Sequence, residues 1–293
     1  MRIGAHVTVA KGYDSTLEYA LEVGCETLQI FSHSPRQWRT MPIEVEDADR
    51  FAAARDEVSV GPLVIHTMYL INLGSEDATL WERSVDGLAE ELRRGAAMHA
   101  EIVVTHIGTR FGGDDKSAAN RVADGIERAW DLAGPSSRTT RLALENTAGA
   151  GRTFGSTFEQ LGAVTRLLDE RDVPPTGICF DTCHGWAAGY DVSSTEGWTR
   201  VVHGIDSACG ADRLLAIHAN DTEYALGSKK DRHAWIGDGL IGNEGFAAML
   251  CEPRLVGVPA IMEMPGEPPF KDAENIRRLK RLRAACGGDG SQA

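Results

Sequence analysis

The sequence predicts a closed α/β barrel of eight strand–helix units, and three observations lead there. Short apolar or β-branched runs recur along the 293 residues, each followed by a segment of helical periodicity. No linker rich in Pro, Gly or Ser breaks the alternation. No GxGxxG follows the first strand, as a doubly wound open sheet, the main alternative, would have it. Alternation implies a parallel sheet, and eight repeats imply closure into a TIM (β/α)8 barrel, a fold that reaches this length as one unit. We therefore expect one domain over residues 1–286, with the polar, Gly-rich tail 287–293 (GGDGSQA) disordered.

The elements follow in order. RIGA at 2–5 is the first strand, and STLEYALEV at 15–23 the first helix. TLQIF (27–31) pairs with a helix at 45–58, and LVIH (63–66) with one at 78–99. IVVTH (102–106) precedes a helix at 117–132, and RLALE (141–145) one at 156–170. GICFD (177–181) is followed by a helix at 195–209, and LLAIH (214–218) by one at 242–251. AIME (260–263) and a helix at 272–285 complete the set.

Composition narrows the class. A chain 42% hydrophobic and 25% charged is that of an ordinary soluble globular protein, and no apolar run approaches membrane-spanning length. MRIGAHVTVAKG lacks the apolar core of a secretory signal. Cysteines 25, 179, 183, 209, 251 and 286 include no CxxC, which suits a reducing cytoplasm and mostly buried thiols. The net charge of −13 argues against a broadly basic nucleic-acid surface, while leaving room for a local patch.

The last residues of the later strands are His66, His106, Glu145, Asp181, His218 and Glu263. In a barrel these ends form one ring at the mouth, where active sites sit. One strand ending in His is ordinary; six successive ionisable ends are not, because carboxylates and imidazoles packed together need bound cations. His184 follows Asp181 where the chain turns out of its strand, and Asp231 and His233 lie in the loop after His218, on one face if that loop is extended. Imidazole and carboxylate without organised thiolate suit Zn2+, with Mn2+ or Fe2+ as substitutes, and these nine residues could hold two or three ions.

Other residues read more plainly. Cys183 is expected to pack, Trp186 and Trp235 to wall the site, and His6 to support it. His99 and His203 read as surface or packing residues, and the basic run 277–283 as the solvated face of the last helix.

With these residues in place, the sequence resembles the endonuclease IV family of apurinic/apyrimidinic (AP) endonucleases. The matching stretches are IGAHV (3–7), FSHSPRQW (31–38), YLINL (69–73), ENTAG (145–149), FDTCHGWAAGYD (180–191) and HANDTEYALGSKKDRHAWIGDGLIG (218–242). The resemblance runs from Ile3 to about Lys280 and implies three zinc ions. His66, His106 and Glu145 would hold the first. Glu145, as a bridge, with Asp181, His218 and Glu263 would hold the second. His184, Asp231 and His233 would hold the third. Glu145 and Glu263 become the catalytic carboxylates. The implied reaction cleaves the phosphodiester 5′ to an abasic site, leaving a 3′-hydroxyl and a 5′-deoxyribose phosphate, and a further activity on 3′-blocking groups is expected. The implied partner is double-stranded DNA bound by a monomer in the cytoplasm, with no membrane. Arg36 and Tyr69 match the positions that the family inserts into the duplex, where a flat side chain can replace lost stacking. Lys229, Lys230 and Arg232, with Arg39 and Arg152, fall on mouth loops and could contact phosphates.

Some positions depart from the family pattern. Ile107 and Met68 stand where Pro is usual, Ala150 where Gln is common, Ser34 where Asn is common, and Ala234 where a polar residue is frequent. None removes a metal ligand. The rival reading is a sugar isomerase or epimerase of the xylose-isomerase-like barrels, which needs one metal and only Glu145, Asp181, His218 and Glu263. A metal-stabilised binding protein without turnover is a third class, with little reason to keep a bridging carboxylate.

Overall fold

The computed structural model describes residues 1–110, 112, 114–210, 212–263 and 270–286. The tail 287–293, expected to be disordered, lies outside them. Eight parallel strands close a barrel: β1 (Ile3–His6), β2 (Thr27–Phe31), β3 (Leu63–His66), β4 (Ile102–His106), β5 (Arg141–Glu145), β6 (Gly177–Asp181), β7 (Leu214–His218) and, after two short strands described below, β10 (Ala260–Met262). Each strand pairs with its sequence neighbour in the barrel, and β10 closes it against β1. The outer helices are α1 (Tyr13–Val23), α2 (Val45–Glu57), α3 (Ala78–Ala97), α4 (Asp115–Ala133), α5 (Phe158–Asp169), α7 (Thr195–Cys209), α8 (Gly242–Cys251) and α9 (Phe270–Ala285).

Local chemistry sets where helices start. Asp77, Asp114, Thr157 and Ser194 each cap a helix by accepting a backbone N–H three residues on. Thr157, not Ser156, therefore marks the start of α5. The expected helix at 78–99 ends at Ala97, because His99 takes a left-handed backbone (φ 52°). The first strand is shifted from 2–5 to Ile3–His6, and His6 pairs with Gln29. The last strand stops at Met262, because the Glu263 N–H donates to Asn220 Oδ1 instead of to the sheet.

Three features were not expected. A short helix, α6 (Thr182–Ala188), begins directly at the end of β6, with Asp181 as its cap. Strands β8 (Asp221–Thr222) and β9 (His233–Ala234) form a small antiparallel pair beyond β7. Cys251 and Cys286 are joined by a disulfide, so the reading of six mostly buried free thiols holds only for Cys25, Cys179, Cys183 and Cys209. The basic run on α9 is also only partly solvated. Arg278 reaches the Ile236 carbonyl and Asp238, and Arg283 reaches Glu26 and the Met1 carbonyl. Among the described residues no helix is long and apolar enough to cross a membrane.

The barrel interior explains why the mouth is polar. Val64, Val104, Ala143, Cys179, Ala216 and Ile261 pack in one buried cluster inside the strands. Side chains alternate along a strand, so each residue two positions on faces the same way. Those residues are His66, His106, Glu145, Asp181, His218 and Glu263. An apolar layer thus closes the barrel beneath an ionisable one.

At the opposite end, Glu26 binds the chain termini together. It accepts from the Ile3 N–H (3.0 Å) and from both Arg283 nitrogens (2.6 and 2.8 Å), with Lys280 at 3.3 Å. Burial raises the Glu26 pKa, but Arg283, the Ile3 N–H and Lys280 outweigh it and hold it at about 2. A carboxyl depressed on folding stabilises the fold above its unfolded pKa, and that contribution fades as pH falls towards the folded value. After allowance for solvent screening it is worth roughly 1–2 kcal/mol. Urea unfolding between pH 7 and pH 2 should show the wild-type protein losing this increment from about pH 4.5 downwards. Glu26→Gln should start lower by the same amount and lack that step; parallel profiles would refute the assignment.

Candidate metal centre

Glu145 lies at the middle of the mouth, fully buried at the end of β5. Its two carboxylate oxygens face different neighbours. Oε2 lies 3.1 Å from His66 Nε2 and 3.5 Å from His106 Nε2. Oε1 lies 3.1 Å from His218 Nδ1 and 3.2 Å from His184 Nδ1. Burial pushes the Glu145 pKa up, but His106, His218 and His184 prevail and draw it well below the usual carboxylate range.

The residues singled out at strand ends and loops come together in three groups. His66, His106 and Glu145 form one; Glu145, Asp181, His218 and Glu263 a second; His184, Asp231 and His233 a third. Within each group the donor atoms all lie within 4.8 Å of one another. His184 belongs because α6 starts at once: the Asp181 carboxylate caps it by accepting the His184 N–H at 2.7 Å, and the ring turns back over the mouth. His184 Nε2 then lies 3.2 Å from Asp231 Oδ2, and His233 Nε2 3.4 Å from Asp231 Oδ1. Asp181, Cys183 and His233 also converge, but burial pushes the Cys183 thiol up to about 12 and its Sγ faces the Arg232 carbonyl at 3.6 Å. Cys183 is buried, and a thiol held protonated in this way packs rather than ligates.

The surroundings fix which imidazole nitrogen is available. A carbonyl oxygen only accepts, so a ring nitrogen facing one carries the proton. Nδ1 of His66, His184 and His233 faces the carbonyls of Thr67 (2.7 Å), Asn146 (3.0 Å) and Glu263 (2.8 Å). In the neutral rings that leaves each Nε2 as a bare lone pair turned into the site. His218 uses the opposite nitrogen: its Nε2 faces Gln29 Oε1 at 2.8 Å, which leaves Nδ1 for Glu145 and Glu263. Such outer partners orient metal ligands and set their tautomers.

The carboxylates are held with similar care. Asn220 Nδ2 donates to Asp181 Oδ2 (2.6 Å) and reaches Glu263 Oε2 (3.4 Å), while Gln29 Nε2 donates to Glu263 Oε1 (2.6 Å). Asn146 exchanges two hydrogen bonds with the Asp181 backbone. Sequence reasoning passed over Gln29, Asn146 and Asn220. The last two stand one and two residues beyond strand-end ligands, where a polar side chain was the available signal.

The charge balance favours a cation. Among the described residues, Glu145, Asp181, Asp231 and Glu263 have only imidazoles as ion-pair partners. Burial disfavours charge on His218, yet Cys179, Glu263 and Glu145 drive its pKa well above normal. His184 behaves alike, burial being outweighed by Asp181, Asp231 and Glu145. His106 goes the other way: burial pushes it down to about 4, so it stays neutral, with its lone pair available. Nitrogen and carboxylate donors that demand positive charge fit divalent ions of the zinc type.

The expected mouth-loop residues line the rim. The Tyr69 N–H donates to the Pro35 carbonyl at 3.0 Å, which ties the loop after β3 to the loop bearing exposed Arg36. Tyr69 is 56% exposed and stands edge-on to Phe31, ring centroids 5.2 Å apart. Across the cleft, of about 510 Å³, lie Asp231, Arg232 and His233. Lys229 and Lys230 are exposed on the preceding loop, which hangs on α6 through bonds from the Gly227 and Lys229 N–H groups to the Trp186 and Ala187 carbonyls. Lys230 Nζ sits 4.4 Å above the Tyr224 ring. Trp186 is buried and donates to the Tyr224 carbonyl, in keeping with a wall.

Comparison with known proteins agrees with this geometry. A family model described as a xylose isomerase-like TIM barrel matches residues 17–283. A protein named "Probable endonuclease 4" from Methanoculleus marisnigri is 40% identical over 283 residues, 97% of this chain and 99% of that one. Its namesake from Methanosphaerula palustris is 38% identical over 282 residues, 96% of this chain and 98% of that one. The crystal structure of endonuclease IV from Thermus thermophilus superposes with a TM-score of 0.85 at 36% identity, covering 97% of this chain and all of that one. A D-tagatose 3-epimerase-like protein superposes at 0.74 with 17% identity and so shares the fold alone. The chain belongs to the endonuclease IV family of xylose isomerase-like barrels and is a hydrolase of the nuclease class.

Proposed function

We propose that this protein is a zinc-dependent AP endonuclease of base excision repair. It hydrolyses the phosphodiester 5′ to an abasic site, leaves a 3′-hydroxyl and a 5′-deoxyribose phosphate, and also clears 3′-blocking groups. Residues 1–286 act as one domain, as a monomer in the cytoplasm, on double-stranded DNA. One observation carries the reading: Glu145 turns one oxygen to His66 and His106 and the other to His218, so one carboxylate can serve two ions.

His66, His106 and Glu145 would hold one zinc, and Glu145, Asp181, His218 and Glu263 a second. His184, Asp231 and His233 would hold the third, with Mn2+ or Fe2+ as substitutes. Bound there, the ions supply Lewis acidity and lower the pKa of coordinated water, so no separate strong base is needed. The chain does the rest. Glu145 and Glu263 hold the reacting centre; Arg36 and Tyr69 fill the stacking space beside the flipped nucleotide; Lys229, Lys230 and Arg232 meet phosphates. A single-metal sugar isomerase would use only the second group. The other two groups, and relatives named endonuclease 4 along the whole chain, favour the nuclease.

A duplex carrying one abasic analogue should be cut 5′ to the lesion, and the purified protein should contain about three zinc per chain. One divalent ion per chain without cleavage would point to the isomerase instead. Glu145→Gln should lower kcat/KM by roughly a thousandfold, since it weakens two ion sites together. Asn220→Ala strips a shared donor from Asp181 and Glu263 and should weaken metal affinity about 10- to 100-fold in a chelator competition. Unaltered affinity would reduce Asn220 to packing. Binding to the abasic duplex should fall steeply with salt, and Lys230→Ala should lower the slope of log K against log salt by about one. A slope equal to that of the wild type would remove Lys230 from the phosphate contacts.

A further inference from the structure

His6 ends β1 and completes the ring of strand-end side chains, yet it belongs to none of the three ligand groups. Its ring packs on Phe31, centroids 4.3 Å apart, and lines the cleft with Tyr69, His66 and Glu263. The tautomer of this ring follows from its neighbours by elimination. Glu263 Oε1 is only an acceptor, so the Gln29 atom 2.6 Å from it is the amide nitrogen. The other end of the amide then presents its oxygen to His218 Nε2 at 2.8 Å. Gln29 is fully buried, which leaves no freedom to flip. Its nitrogen also lies 2.9 Å from His6 Nδ1. Two donors cannot face each other, so Nδ1 accepts. Glu263 Oε1 is near the same nitrogen, but at 3.5 Å it is the weaker competitor for a proton there. The His6 proton therefore sits on Nε2, a buried atom with no hydrogen-bond partner in the protein.

We infer that His6 is a substrate-binding residue whose Nε2–H donates to a sugar–phosphate oxygen of the DNA strand lying against Phe31 and Tyr69. A buried donor without a partner costs free energy, and a site that keeps one beside its reacting centre keeps it for an incoming acceptor. Gln29 is the positioning residue, since one amide sets His6 to carry its proton on Nε2 and His218 to keep its lone pair on Nδ1. This inference rests on the nuclease reading for the identity of the acceptor, though not for the tautomer.

Long-range 1H–15N spectra of the labelled, zinc-loaded wild-type protein test the first half, with His6→Phe to assign the signal. His6 should be in the Nε2–H form, and Gln29→Leu should abolish that preference; the Nδ1–H form in wild type would overturn the inference. Kinetics on the abasic duplex test the second half. His6→Phe keeps the stacking ring and loses the donor, so KM should rise roughly 3- to 10-fold with zinc content as in wild type. His6→Asn, which retains an N–H, should recover part of the loss. An unchanged KM, or loss of zinc from His6→Phe, would overturn the role. Wild-type protein unable to cut the duplex would instead sink the nuclease reading, with the tautomer result left intact.

Discussion

A carboxylate with no accessible surface at the mouth of a barrel is the constraint on which this structure turns. An isolated buried carboxylate costs several kcal/mol, and Glu145 is kept ionised by imidazoles arriving from β3, β4, β7 and α6. Parallel strands cannot avoid bringing their ends together, and the apolar layer of Val64, Val104, Ala143, Cys179, Ala216 and Ile261 seals the space below. The ionisable layer above has nowhere to disperse. Its residues need counter-charge from outside the chain, which makes this face of the barrel a receiver of cations.

Ordering such a layer takes more than the ligands. Three imidazoles are pinned through Nδ1 to backbone carbonyls of Thr67, Asn146 and Glu263, atoms that the fold itself holds still. His218 sits deepest and is pinned by the Gln29 side chain, which reverses the nitrogen it offers. A change at Gln29 therefore touches three functional groups at once, His6, His218 and Glu263, without being a ligand itself. Productive geometry within about 0.5 Å depends on this kind of support.

The barrel was legible because its strands are apolar runs that end abruptly on an ionisable residue. Period-two alternation then says that each such end shares a face with a core residue two positions back. What escaped has a physical reason in each case. DTCHGWAA contains no loop between strand and helix, so α6 gave no turn signal; its cap is the strand-end Asp181 itself. Gln29 lies mid-strand, where a buried polar residue looks like a packing choice until its partners from β1, β7 and the end of β10 are known. The disulfide joins residues 35 apart in sequence, and only the packing of α8 and α9 makes them neighbours. Arg36, Tyr69, Lys229 and Lys230 are exposed at the rim, and their positions alone do not say what they touch.

The third candidate ligand group, His184, Asp231 and His233, is the one that the barrel strands alone do not build. Glu145, Asp181, His218 and Glu263 follow from the strands, so any barrel with those strand ends can assemble them. His184, Asp231 and His233 do not: one needs α6, and the other two need the loop closed by β8 and β9. That loop has its own anchor. The buried Asp221 carboxylate accepts five backbone N–H groups, from Thr222, Gly237, Gly239, Ile241 and Gly242, so the chain on the far side of His233 is drawn tight against β8. A carboxylate used this way contributes nothing to catalysis directly and is costly to leave unpaired, so its presence makes sense if the hairpin must be rigid. Rigidity there serves the placement of His233 against Asp231 and His184. The specialisation of this barrel is therefore written in its loops, on a ring that the strands provide regardless.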